Sequence, residues 1–468
     1  MRCAEGTPYT SNFNTRHTST MTLPAARTLA DFAVGLRYED IPNDVIDRAK
    51  TCLIDTVGAM TFGNSLPWSR IMVEYVMRTS LPGKGSIVGT GHKVRGQMAA
   101  LANGVLAHAF ELDSLCHPSV GVHPGASLSA PGIPVAQAQG RSGKELLTAF
   151  VAGFEVMYRI GDAARHSSEK IGFHAPGLTG VFGGAVVTGL LMKLDAERMT
   201  NALGIGGSLC SGLLEFSRSG GGMVKRMHLG RAAEGGALAA TLAREGFTGP
   251  PTVLEGKFGF LEAFAKERDP ARLTKALGEE WHTLKTMLKR YACHITAHVP
   301  VTAALELREK HGFKGSDIAA VAIAADEKVV SHHNILEPQD TMMCQYSVPF
   351  CVALALHRDP LDPRVFGEET LNDASIREVC RNTTVTQIPA AKARDRFSTL
   401  LTVRLKDGRE LSIEAHDFEG MPARPLTREQ LRAKFLKLTA DAQAMKPEAV
   451  LARLEALEEQ GSVTGILD

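Results

Sequence analysis

The segment HAFELDSLCHPSVGVHPGASLSAPGIP places Glu111, Asp113, His117 and His123 close together in the chain. Two carboxylates and two imidazoles at such short separations can share acid and base roles. Glu111 is expected near the C-terminal end of a helix, with a Pro- and Gly-containing loop beyond it. A polar loop joining two helices would have the same spacing. His174, in EKIGFHAPGLTG, immediately precedes a Gly-rich helix whose positive end favours a neutral imidazole. A ring satisfied by a backbone carbonyl is the plainer alternative. A glycine triplet leads into Lys225, Arg226, His228 and Arg231, either an anion seat or a solvated basic helix start. The triplet has neither the Walker A nor the GxGxxG spacing, which argues against a nucleotide. The last cluster, KTMLKRYACHITAHVP, holds Lys285, Lys289, Arg290, Cys293, His294 and His298. His294 and His298 stand four apart as metal ligands can, but HExxH is absent and no third ligand is signalled, so no metal is expected.

These side chains need elements to hold them. From about residue 24 to 270, apolar residues recur at three- and four-residue spacing, and the turns carry Gly, Pro, Asn and Asp. One predicted helix has Asn43 or Asp44 as its cap and buries Val45, Ile46, Ala49, Leu53, Ile54 and Val57. Others are expected at about 97–111, 143–165, 178–194, 196–216 and 225–245. Several have Gly and Ala on their inner faces, which lets backbones approach closely in a dense bundle. DIAAVAIAADEKVV then alternates like a strand, and FSTLLTVRLKDGRELSIEAHDFEG reads as a hairpin turning at Asp407 and Gly408. Amphipathic helices return after Thr427 and Pro447. The expected architecture is mainly α: a large all-helical domain over 23–274 plus 408–468, with a smaller inserted α+β domain over 275–407 and a disordered extension over 1–22.

Composition narrows the function. With 52 basic and 51 acidic side chains in 468 residues, no global field exists to hold nucleic acid or an anionic bilayer. The stretch from Ile171 to Met192 has no charged residue but is rich in glycine, which suits a buried helix better than a membrane span. The eight cysteines form no CxxC pair, so free thiols in a reducing, cytoplasmic setting are expected, and clustered iron–sulfur ligands are missing.

Taken together, ANGVLAHAFELD followed by HPGA, then GFHAPGLTG, MVKRMHLGRAA and KRYACHITAH, resemble the MmgE/PrpD family over nearly all of the chain after residue 23. That family includes 2-methylcitrate dehydratase, cis-aconitate decarboxylase and iminodisuccinate epimerase. The resemblance implies a helical domain with a smaller lid domain, a homodimer, and an active site in the cleft between the domains. It places catalytic roles on Glu111, His123, His174, Lys225 and Lys289, with Asp113, Leu115, His117, Arg226, His228 and Arg290 as neighbours that bind substrate. Where the family often has Asp-Phe-Asp-Asp-Thr, this chain has Glu111-Leu112-Asp113-Ser114-Leu115, which lengthens a carboxylate and removes a hydroxyl. Such changes reshape a site, since about 1 Å of misplacement can cost 100-fold in rate.

The implied chemistry is cofactor-independent proton transfer at the carbon beside a carboxylate of a small di- or tricarboxylic acid. Lysines would hold the carboxylates and histidines would move the proton. Dehydration is the family's commonest reaction and leads by analogy. Epimerisation or decarboxylation could follow from the same intermediate, and a catalytically silent carboxylate binder or a metal- or NAD-dependent enzyme are the remaining alternatives.

Overall fold

The computed structural model describes residues 23–468 apart from positions 119 and 220, so the extension expected over 1–22 lies outside the described residues. Helices carry the architecture and the sheets are small, a mainly α fold. At its centre is the Gly-rich helix Ala175–Leu191, with nearly every residue buried. A helix apolar on all sides must be enclosed by others, and here Gly143–Ala163 and Met223–Arg244 pack against it. Among the described residues no helix is long and apolar enough to cross a membrane.

Met223–Arg244 also crosses Gly96–Ala107, and there the two backbones nearly touch. A Cβ on Gly104 would lie 2.7 Å from Gly230 Cα, and one on Gly230 would lie 2.6 Å from the Leu101 carbonyl oxygen. Glycine is therefore required on both sides of this crossing, and its cost in helix propensity is offset by close packing.

Two helices stop earlier than their periodicity suggests. The one expected to reach residue 111 ends at Ala107, and Glu111 sits outside it with φ 55°, a left-handed conformation that costs a non-glycine residue about 1–3 kcal/mol. The one expected over 196–216 ends at Gly207, where two glycines and a serine weaken it. The chain then loops back so that Leu213 bridges to Phe173. Asn43 is the first residue of its helix rather than the cap, which falls on Pro42.

The second region contains a four-stranded sheet in the order Thr383–Gln387, Ile318–Ala325, Thr399–Leu405, Glu410–Ala415. The first pair is parallel and the others are antiparallel. The hairpin turns at Gly408, whose φ of 90° suits glycine. A boundary after residue 407 would cut that hairpin at its turn. Pairing from Thr399 with Ala415 to Arg404 with Glu410 keeps the last strand with the sheet.

Beyond the sheet, Thr427 and Gln430 form a capping box that starts Arg428–Thr439. This helix returns to pack Leu431 and Phe435 into the same core as Val45, Leu53 and Val57. Its Lys434 ammonium reaches Asp55 Oδ1 at 2.5 Å and the Lys289 carbonyl oxygen at 2.6 Å.

Gly230→Ala is expected to cost about 1–3 kcal/mol through overpacking, read as a lower urea midpoint with an unchanged slope. An unaltered midpoint would show that the crossing can open at no cost.

Candidate active site

Glu111, His123, His174, Lys225 and Lys289 all line one cavity of about 1090 Å³. They come from separate parts of the fold. Glu111 and His123 lie on the loop after Gly96–Ala107, and His174 is the N-cap of the Gly-rich helix. Lys225 is in the first turn of Met223–Arg244, and Lys289 follows the short strand Thr286–Met287.

The Glu111 carboxylate is held from both sides. Lys289 Nζ donates to Oε2 at 2.6 Å, and Lys225 Nζ donates to Oε1. All three side chains are buried. Burial, then the nearby Lys289 and Arg226 charges, push the Lys225 ammonium well below the ordinary lysine range. Lys289 is also lowered, chiefly by burial. The Glu111 carboxylate opposes this push and keeps two buried cations tolerable. Asp113 Oδ1 lies 3.9 Å from Lys289 Nζ, so two carboxylates face the two ammonium groups of the seat.

Behind this seat, Asp113 Oδ2 accepts from His108 Nδ1 at 2.8 Å and His123 Nδ1 at 2.6 Å. Burial alone would raise Asp113, but the two imidazoles outweigh it and hold the group well below the carboxylate range. The bond fixes the His123 ring and leaves Nε2 as its free nitrogen. His174 is different. Its Nδ1 lies 3.1 Å from His228 Nδ1, and burial followed by the charges of His228 and His123 brings its pKa down to about 3. At neutral pH this ring is uncharged.

The expected substrate-binding neighbours divide. Leu115 lines the cavity, while Asp113 and His228 act from behind His123 and His174. Arg226 is turned away: its Nε donates to the Ala109 carbonyl oxygen at 3.2 Å and its guanidinium lies over Trp68. Arg290 is paired with Glu419 at 2.9 Å, and the His117 ring packs against Phe397. None of these three lines the cavity.

Other lining residues are hard to see in the sequence. His294 and His298 have the spacing of a metal pair, yet they share no helix face: His294 caps the short turn Ile295–Ala297 and His298 begins the helix after it. His294 lines the cavity and stacks on His333 with ring centroids 4.1 Å apart, whereas His298 packs on Tyr291. Tyr346 also lines it, with Lys225 Nζ 5.3 Å from its ring centre. Nothing in TMMCQYSVPF announces this. The adjacent Gln345 donates to the Phe110 and Ala292 carbonyl oxygens, tying the Glu111 loop to the Lys289 segment.

His108, Asp113 and His123 offer ligand atoms within 4.8 Å of one another and could in principle hold a cation. In the structure both Nδ1 atoms are engaged in hydrogen bonds to Asp113 Oδ2.

Family models for the MmgE/PrpD N-terminal and C-terminal domains match residues 27–273 and 291–460. The chain belongs to the MmgE/PrpD family. Among its MmgE/PrpD relatives, the cis-aconitate decarboxylase of Aspergillus terreus (strain NIH 2624 / FGSC A1156) is 35% identical over 298 residues, 60% of each chain. The chain thus matches less than two thirds of that relative's length. The Homo sapiens cis-aconitate decarboxylase is 26% identical over 417 residues, 86% of this chain and 85% of the relative. That of Mus musculus is 24% identical over 454 residues, covering 92% and 91%. The segments that carry the family resemblance are those that meet at the cavity.

Lys434→Met is expected to cost about 3–5 kcal/mol by leaving buried Asp55 unpaired. Adding Asp55→Asn should restore much of the stability but not the turnover, because the Lys289 carbonyl remains unheld. Full activity in the double variant would show that this tie does not position the site.

Proposed function

We propose that the chain is a lyase for a small di- or tricarboxylic acid, and that it breaks a bond at the carbon next to a carboxylate. Decarboxylation is the first choice because the relatives above carry that name. The observation that carries the reading is the convergence of two lysines and two histidines on one cavity around a buried carboxylate.

In this reading the substrate's carboxylates lie against Lys225 and Lys289 and share them with Glu111. When the carbon–carboxylate bond breaks, carbon dioxide leaves and its electron pair spreads onto the remaining unsaturated acid. The ammonium groups stabilise that charge, and do so strongly in a site shielded from water. His123 then delivers a proton through Nε2. A carboxylate behind an imidazole stabilises the positive charge that the ring carries while protonated, which is the role given to Asp113. His174, neutral, accepts hydrogen bonds or passes a proton on through His228.

These roles need only the chain's own side chains. Dialysis against a chelator is therefore expected to leave turnover of cis-aconitate and related acids unchanged, and loss of activity restored by a divalent metal would require a different mechanism.

His123→Gln should lower kcat on the order of 100-fold or more with the fold intact by circular dichroism. An unchanged rate in His123→Gln would end the proton-transfer assignment.

The pH profile provides a separate check. Lysines with lowered pKa lose their charge as pH rises through the lowered value, so the alkaline limb of kcat/KM should fall below the ordinary lysine value of about 10.4. A limb at or above that value would mean that burial does not lower these lysines in the working enzyme.

A further inference from the structure

Every lysine that lines the cavity already has a carboxylate beside it. Lys225 and Lys289 share Glu111, and Lys289 also lies near Asp113. The two more exposed lysines, Lys170 and Lys328, pair with Glu267 at 2.6 Å and with Glu169 at 3.9 Å. An acid with two or three carboxylates finds these positive charges offset before it arrives, and is repelled by the carboxylates that offset them. Attraction has to come from a cation that no acid neutralises.

Arg396 is such a cation. It lines the same cavity and is partly exposed, and among the described residues its guanidinium makes no ion pair and no hydrogen bond. The guanidinium carbon lies 5.7 Å from the centre of the Phe397 ring. The turn that carries it is fixed by its own polar groups: Asp395 Oδ1 accepts from the Phe397 N–H at 2.8 Å, and Ser398 Oγ accepts from the Arg394 and Asp395 N–H groups at 2.9 and 3.1 Å. Phe397 is buried in one packed cluster with Leu115 and Met287. Those two flank the seat, Leu115 four residues after Glu111 and Met287 two before Lys289. A packed ring thus holds Arg396 next to the part of the lining that leads to the lysines.

We infer that Arg396 is a specificity-determining residue: its guanidinium takes a substrate carboxylate that the Lys225–Lys289 seat does not hold, so acids with a third carboxylate are preferred to their dicarboxylate counterparts. The inference rests on the carboxylate-binding reading above and adds the residue that selects among such acids. A planar guanidinium meets a carboxylate through two parallel hydrogen bonds, which an ammonium group cannot match. At a partly exposed position such a contact is worth about tenfold in affinity.

Calorimetric titration of the full chain with tricarballylate and with glutarate, the same carbon chain without the middle carboxylate, tests this without requiring turnover. Wild type should bind tricarballylate about tenfold more tightly than glutarate. Arg396→Gln should remove most of that preference while leaving the Kd for glutarate within about twofold, and Arg396→Lys should restore only part of it. Both variants should keep the wild-type circular dichroism spectrum, since the guanidinium bonds to no other protein group. A tricarballylate-to-glutarate ratio that is the same in wild type and Arg396→Gln, with binding lost in Lys225→Met, overturns the role of Arg396 and leaves the lysine seat standing. Failure of both acids to bind wild type overturns both readings.

Discussion

The fold is organised around a single electrostatic constraint, a carboxylate buried between two ammonium groups. Desolvation pushes both lysines towards the neutral form. Glu111, bonded to both, makes their coexistence tolerable. Glu111 is delivered by a helix that ends early and a backbone held in the left-handed region. Lys225 is delivered by a helix packed so closely that glycine faces glycine. Lys289 is delivered by a segment tied to the Glu111 loop through Gln345.

The two histidines show how burial and partners place one residue type in two environments. His123 is backed by a carboxylate and His174 by another imidazole. The second is kept neutral well below physiological pH, while the first is held by its bond to Asp113. Sequence spacing treats them alike. The difference comes from Asp113 and His228, which do not line the cavity and touch the rings from behind.

Much of this is legible in the amino-acid sequence, because both the helices and the site are written in local patterns. Apolar periodicity marks the bundle, and the Asp407–Gly408 turn marks the hairpin. Helix ends are less clear. Nothing in ANGVLAHAFELD signals that the helix stops at Ala107, since Leu106, Phe110 and Leu112 continue an apolar rhythm that tertiary packing then uses in a loop. Arg226 and Arg290 stand out by charge alone, yet one supports a backbone carbonyl and the other a remote glutamate. Tyr346 and His333 are hidden for the opposite reason. Their role depends on a region distant in sequence folding over the helical core, and no short-range pattern encodes that encounter.

Lys434 has a consequence for how the protein comes into being. Its ammonium grips the backbone at Lys289 from a helix close to the end of the chain. During synthesis, most of the helical core can gather before that residue emerges, but the seat is not braced until it does. Of the three residues joined by this tie, Lys434 follows both Asp55 and Lys289 in the chain, so it is the last of them to be translated.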